Sequence, residues 1–400
     1  MHSWNIALAL RSALLLLFTW SFTVAAQQQK PNITITIGAS GGANKIYHWE
    51  FNSFPSSVAE LQRPLQLLAP LKPGMDTFDI KPDPQNGGRR KGLEASASKA
   101  APRVLRSLYP AHSYARSKDR HPSFVSTPLP KEAFSGGKSR YIRLEYQMYF
   151  KPGFKWVKGG KLPGILLGSE KGCNAGCSGG GSAEGCFSTR MMWRKDGMGE
   201  LYLYAAKSVY FPKQPSETCK RSLDKRSPEA LFLLEKRQIA QYMIPEDEEY
   251  EDEVKADRSQ SLRKRADNSC LDGVRLKISP GARNQCNPTY GISIGRGGAF
   301  RFKSGQWHNV TQIVRVNSKG KAVKDGYLSV YLDSKPVVQA DGLVLLKNGY
   351  DPKQGADMHQ VKFMFSSFFG GHTSDYATPI AQWIAWKGFK MTTSLQNLWE

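Results

Sequence analysis

The stretch CFSTRMMWRKDGMGELYLYA, Cys186 to Ala205, carries a serine, arginines, a glutamate and two tyrosines on what reads as two strands and a turn. Side chains alternate along a strand, so Ser188, Arg190, Met192 and Arg194 share one face of the first, and Glu200, Tyr202 and Tyr204 one face of the second. With Lys195 to Gly199 as the loop, Arg194 opposes Glu200, Met192 opposes Tyr202 and Arg190 opposes Tyr204. Directly opposed residues point to the same side of a sheet. One face therefore displays Ser188, Arg190, Tyr202 and Tyr204, while Met191, Trp193, Leu201 and Leu203 form the packed side. A one-residue slip would turn one strand over, which makes register the sensitive step.

A basic, hydroxyl-rich face suits removal of the proton at C5 of a uronic acid in a polysaccharide. That proton is weakly acidic because the neighbouring carboxylate resists a second negative charge. An arginine on the carboxylate lowers the cost through a charge-assisted, often bidentate bond. A base must take the proton, and an acid must protonate the departing glycosidic oxygen at C4. Free tyrosine and lysine titrate near ~10, so either must be tuned to serve as base, a tyrosine by nearby positive charge and a lysine by positive charge or burial. Amphipathic strands also carry such tyrosines for packing alone. A lysine for the same face is offered by KGGKLPGI, Lys158 to Ile165, a glycine-rich stretch that reads as a turn after a strand. Its glycines allow close approach of backbone and substrate to Lys161, and Leu162-Pro163 directs the chain's exit.

The elements that must position these groups are strands. YIRLEYQMYF, Tyr141 to Phe150, alternates over its whole length, with Ile142, Leu144, Tyr146, Met148 and Phe150 on one side. Arg143 and Gln147 on its polar side are candidates for neighbouring substrate subsites. Similar runs occur at Asn32–Ile37, Arg190–Trp193, Leu201–Ala205, Val274–Ile278, Phe300–Phe302, Val310–Val316, Tyr327–Leu332 and Val361–Phe365. Turn signals such as Gly297-Gly298 and Lys324-Asp325-Gly326 separate them. Many strands with short turns and no alternating helices predict an all-β chain, an antiparallel β-sandwich of jelly-roll type.

Arg11 precedes an apolar run, Ala13 to Ala26, that ends in small residues and turns polar at Gln27. It reads as a secretory signal peptide over 1–26, since a spanning helix needs ~20 apolar residues. A secreted, extracellular chain with no membrane attachment after signal removal is expected. Residues 27–102 read as an irregular N-terminal segment with a possible edge strand, and 103–400 as the jelly-roll domain. That domain is interrupted at 212–269 by a charged insertion, expected to be disordered. It holds a helix-like run at Pro228–Tyr242, acidic residues at Glu246–Glu253, and the dibasic pairs Lys225-Arg226, Lys236-Arg237 and Lys264-Arg265. Dibasic pairs in a secreted chain are targets for a processing protease, and a Cys219–Cys270 disulfide would hold the fragments together after excision.

Six cysteines, Cys173, Cys177, Cys186, Cys219, Cys270 and Cys286, predict up to three disulfides in an oxidising compartment, with the pairing left open. Zinc is disfavoured because the cysteine spacing lacks a second half and no histidine pair has ligand spacing. Asn32 and Asn309 head N-glycosylation sequons. The formal net charge of +22 favours polyanionic partners, acidic polysaccharide before nucleic acid, for which no recognised motif is present.

KGGKLPG, GCSGGGSAEGCFSTRMMWR, KDGMGE and YLY together resemble the core of polysaccharide lyase family 14, the alginate and glucuronan lyases of jelly-roll fold. VLRSLYPAHSY upstream and FSSFFGGH (Phe365 to His372) downstream are similar to it as well, so the likeness runs from about Arg103 to Lys390 apart from the insertion. The resemblance implies a cleft built from Lys161, Ser188, Arg190, Tyr202 and Tyr204. Arg190 would neutralise the carboxylate, a tyrosine would act as base and acid, and Ser188 would orient the sugar. Lys161 would assist Arg190 or be the base itself. Neither metal nor cofactor is expected, and the chain is expected to act as a monomer. The rival is a non-catalytic jelly-roll module that binds acidic glycans. A hydrolase with paired carboxylates is disfavoured, because no Glu-x-Asp spacing places both on one strand face.

Overall fold

Alternation of apolar and polar residues with short turns becomes extended chain almost wherever it occurs. The computed structural model describes residues 32–37, 45–67, 77–85, 102–114, 122–134, 140–168, 177, 182–212, 269–288, 291–351, 360–370 and 374–396. All of them belong to one compact unit, Pro31–Glu400. Among the described residues, nineteen strands form two antiparallel sheets, and α-helix is confined to the single turn Lys207–Tyr210. This is the predicted β-sandwich of jelly-roll type.

The first sheet runs β1 (Asn32–Ile37), β2 (Lys45–Phe51), β19 (Gln382–Ser394), β6 (Tyr141–Phe150), β14 (Trp307–Arg315), β15 (Gly326–Leu332), β16 (Lys335–Leu343), β10 (Arg275–Ile278). β4 (Arg103–Tyr109) adds to β19, and β3 (Phe78–Pro82) to β4. The second sheet runs β11 (Arg283–Asn287), β12 (Gly291–Arg296), β9 (Met198–Tyr204), β8 (Cys186–Arg194), β7 (Gly159–Gly168), β17 (Val361–Ser366), β5 (Ser123–Ser126). β13 (Phe300–Arg301) pairs with β9, and β18 (Phe368–Phe369) with β7.

The described residues of 27–102 hold three strands, β1, β2 and β3. β2 is an interior strand between β1 and β19, and β3 extends the sheet through β4. Tyr47, Trp49 and Phe51 alternate inward along β2, a period that neighbouring glycines and serines disguise. The expected signal peptide and the greater part of the expected insertion, including its helix-like run and dibasic pairs, lie outside the described residues. So do Cys173 and Cys219. The other four cysteines pair as Cys177–Cys186 and Cys270–Cys286, which corrects the Cys219–Cys270 bridge proposed across the dibasic pairs. Cys286 on β11 stands within bridging reach of Cys270, whose short 3-10 turn packs beside that strand, with Cα atoms 6.0 Å apart.

Aromatic side chains fill the space between the sheets. Trp386 of the first sheet meets Phe365 of the second at 4.9 Å between ring centroids, edge to face, and Phe150 meets Trp193 at 6.1 Å. Such pairs add about 0.5–1.5 kcal/mol each beyond their buried area. A polar link crosses this core. Thr189 Oγ1 donates to Gln312 Oε1 at 2.6 Å, and Gln312 Nε2 and the Tyr146 hydroxyl donate to the Pro163 carbonyl at 3.3 and 3.1 Å. Burial keeps the Tyr146 hydroxyl protonated far beyond the ordinary phenol range, so it stays a donor.

From Gly159 onward KGGKLPGI is therefore not a turn but the first part of β7, a strand buried along its whole length. Its glycines serve close packing. A Cβ on Gly160 would stand 2.0 Å from the Trp193 ring, and one on Gly164 only 1.3 Å from the Thr189 carbonyl oxygen. Lys161 pairs with Met192 but Gly164 with Arg190, so β7 carries one more residue than β8 across this interval. This is a β-bulge at Leu162–Pro163. The freed Pro163 carbonyl is the one that Tyr146 and Gln312 hold.

Gly164→Ala forces a methyl into the Thr189 backbone and is expected to cost roughly 3 kcal/mol in urea unfolding. Gly153→Ala meets nothing within 4 Å and carries only the left-handed backbone penalty of about 1 kcal/mol. Equal losses for the two variants would contradict the packing described.

Candidate active site

The hairpin that presents the candidate residues turns more tightly than the loop expected from sequence. Asp196 and Gly197 take left-handed backbone conformations (φ 59° and 74°), so the connection closes over Lys195–Gly197, and Met198 and Gly199 already belong to β9. Three-residue hairpins commonly end in such a left-handed residue. The register is consequently two residues from the expected one: Ser188 pairs with Tyr204, Arg190 with Tyr202, and Met192 with Glu200. A shift of two preserves the faces, because the side-chain period is two. Met191, Trp193, Leu201 and Leu203 enter the main core, whereas Met192, Tyr202 and Tyr204 cluster on the opposite face with Leu166 and Met364.

The bulge places Lys161 on that same face. Ile165 and Leu167 point into the core, and strict alternation would carry Lys161 with them. The extra residue reverses the parity, and Leu162 takes the inward position instead. Lys161 Nζ then stands 3.9 Å from the centroid of the Tyr202 ring, and the Arg190 guanidinium 5.7 Å from that of Tyr204. The two tyrosine rings meet edge to face at 5.2 Å, and the Tyr204 hydroxyl donates to that of Tyr202 at 3.4 Å. Ser188 donates to the Cys177 carbonyl, and the Cys177–Cys186 disulfide ties that residue to the start of β8. Each of the five is no more than 3% exposed, so their charges and dipoles act with little screening by water.

A sixth group on this face went unassigned in the sequence. Glu200 is fully buried; its Oε1 accepts from Arg194 at 2.7 Å and from Ser293 at 3.2 Å, and Ser293 is the β12 partner of Tyr202. Burial alone would raise its carboxyl, but Arg194 and Arg296, with the bonds from Arg194 and Ser293, outweigh it and hold the group below the ordinary carboxylate value. The signal was available: Glu200 shares the strand face of Tyr202 and Tyr204, and a carboxylate amid apolar strand residues requires a cationic partner.

Arg143 and Gln147 are not brought to the site. Ile142, Leu144, Tyr146 and Met148 of β6 point into the core, which leaves Arg143, Glu145 and Gln147 on the outer surface of the other sheet. Arg143 there donates to Glu145 at 2.8 Å. The alternation of β6 was legible; which sheet it joins was not. Asn309 of the sequon Asn309–Thr311 is exposed on β14 opposite Gln147, on that distant surface, and Asn32 lies on β1. Among the described residues, no cluster of His, Cys, Asp or Glu has metal-ligand geometry. No helix of the described residues is long and apolar enough to cross a membrane.

A family model described as Polysaccharide lyase 14 matches residues 97–240 and 270–389. The match spans all five candidate residues and is interrupted over 241–269. Among solved structures, the chain is similar to the marine PL-14 alginate lyase from Aplysia kurodai, with 25% identity over 86% of this chain and 98% of that one and a TM-score of 0.49. It is similar also to an alginate lyase from Chlorella virus, with 16% identity over 75% and 88% of the two chains and a TM-score of 0.42. An endo-β-1,4-glucuronan lyase from the fungus Trichoderma reesei shares 9% identity over 79% and 94%, with a TM-score of 0.34. No curated protein sequence matches the chain.

The Glu200 carboxyl titrates lower in the folded than in the unfolded chain. Its contribution to stability is therefore complete above about its ordinary value of 4.5 and is lost as pH falls through the folded value. Glu200→Gln is expected to flatten the acid limb of a melting-temperature profile, while Glu200→Ala leaves Arg194 facing a void and costs about 3–5 kcal/mol at neutral pH. An acid limb unchanged by Glu200→Gln would remove the carboxylate from this account.

Proposed function

The chain belongs to polysaccharide lyase family 14, and from that membership we propose that it cleaves a uronic-acid polysaccharide, such as glucuronan or alginate, by β-elimination. The observation that carries the reading is the convergence of two cations and two hydroxyl-linked tyrosines on one dry sheet face. Lys161 is held to Tyr202, Arg190 to Tyr204, and the two phenols to each other.

In this reading Arg190 takes the carboxylate of the sugar to be cleaved. Its charge stabilises the enolate-like anion that forms when the C5 proton leaves, more strongly than it stabilises the bound substrate. The tyrosine pair supplies base and acid. A phenol ordinarily titrates near ~10; burial opposes its ionisation, and Lys161 and Arg190 beside the pair supply the positive charge that works the other way. The phenolate accepts the C5 proton, the electron pair becomes the C4–C5 double bond, and the glycosidic oxygen leaves C4 and takes a proton. The same tyrosine can return the one it received, which leaves the enzyme as it began. Ser188, fixed through Cys177, positions the sugar. Lys161 sits over the ring of Tyr202, which suits a charge that tunes the phenol and supports Arg190 at the carboxylate. No step calls on a metal or cofactor. The strongly basic chain draws polyanionic substrate toward the face by long-range attraction. Secretion through the 1–26 signal peptide accords with the two disulfides.

Purified protein incubated with glucuronan, alginate and related polyuronates should build up the ultraviolet absorbance of an unsaturated uronate. Tyr204→Phe and Lys161→Ala are expected to lower the rate by roughly 10²–10⁴-fold with the fold intact by circular dichroism. Binding without any new double bond would instead identify a glycan-binding module, and reducing ends without unsaturation a hydrolase.

A further inference from the structure

We infer that Lys362 forms a second carboxylate-binding position on the catalytic face, holding a uronate of the bound chain at a distance from the one that is cleaved. This rests on the uronic-acid reading of the substrate given above.

Lys362 lies on β17, in the run Val361-Lys362-Phe363-Met364-Phe365. Val361, Phe363 and Phe365 point into the core, so Lys362 and Met364 face the other way. Met364 packs in the cluster that contains Tyr202 and Tyr204, which settles which way that is. Along the sheet, Lys362 pairs with Leu166, Leu166 with Ser188, and Ser188 with Tyr204. Lys362 thus stands in the ladder row of Ser188 and Tyr204, two strand spacings or about 10 Å from Ser188.

Among the described residues, nothing takes up the charge of Lys362. It is half-buried, yet it makes no hydrogen bond or ion pair with any described residue. Other lysines differ: Lys387 is held by Asp83, Lys319 by Asp351, Lys347 by Glu184 and Lys390 by Glu50. Burial depresses the ammonium of Lys362 with no anion to offset it. For packing alone a leucine or methionine would serve better, since a partly dried cation costs stability unless it is paired. A carboxylate of the substrate, repeated along the polymer and arriving from the same face, supplies that partner through a charge-assisted bond.

The test compares kcat/KM for oligoglucuronates and oligoalginates of increasing length in the wild type, Lys362→Gln and Lys362→Arg. The wild type should step up by about tenfold once the oligomer is long enough to reach Lys362. Lys362→Gln should lose that step, and Lys362→Arg should keep it. A step that persists in Lys362→Gln overturns the inference. So does a loss of the same factor at every length, which marks a disturbed centre rather than a remote contact. A wild type that yields no unsaturated product from any polyuronate refutes the substrate reading itself, and this inference with it.

Discussion

A single extra residue in β7 decides on which side of the sheet Lys161 lies, and the rest of the site is built against that choice. Ile165 and Leu167 belong to the core, and an unbroken strand would place Lys161 beside them. An unpaired ammonium in an aromatic core is prohibitively costly. The bulge at Leu162–Pro163 resolves the conflict, but it frees a carbonyl that must be satisfied. Tyr146 from β6 and Gln312 from β14 do so across the core, and Thr189 fixes Gln312 in turn. The lysine over Tyr202 therefore depends on three polar side chains that never touch the cleft face.

The second determinant is electrostatic. Lys161, Arg190 and Arg194 lie on one poorly hydrated face, where like charges repel strongly. Glu200 is the buried anion that lets them coexist, bonded to Arg194 and to the β12 neighbour of Tyr202. Its position one row from Tyr202 matters as well. Closer to the tyrosines it would oppose loss of a phenol proton; instead it is held by Arg194 and Ser293, where it offsets the cations. The tight Asp196-Gly197 turn goes with this spacing, in which Tyr202 of β9 faces Arg190.

Much of this was legible in the sequence, and the failures have physical causes. The face shared by Ser188, Arg190, Tyr202 and Tyr204 survived a two-residue error in register because alternation is insensitive to even shifts. The error came from Met198 and Gly199, assigned to a loop that Asp196 and Gly197 close without them. KGGKLPGI read as a turn because its glycines look like breakers, whereas they admit the Trp193 ring and the Thr189 backbone at close range. β2 was missed for a related reason, hidden between polar, glycine-rich flanks. Arg143 and Gln147 were assigned to the cleft although β6 joins the opposite sheet, a matter of long-range pairing that no local pattern encodes. Lys362 drew no notice because a lysine in a strand is ordinary until its neighbours are known.

Elimination as the bond-breaking step is tested most directly by the fate of solvent oxygen. Cleavage of glucuronan or alginate in water labelled with heavy oxygen, followed by mass spectrometry of the fragments, separates the chemistries without reliance on any variant. Elimination predicts unsaturated non-reducing ends and no heavy oxygen fixed at the cut. One heavy oxygen incorporated per cleavage, with saturated ends, would contradict it.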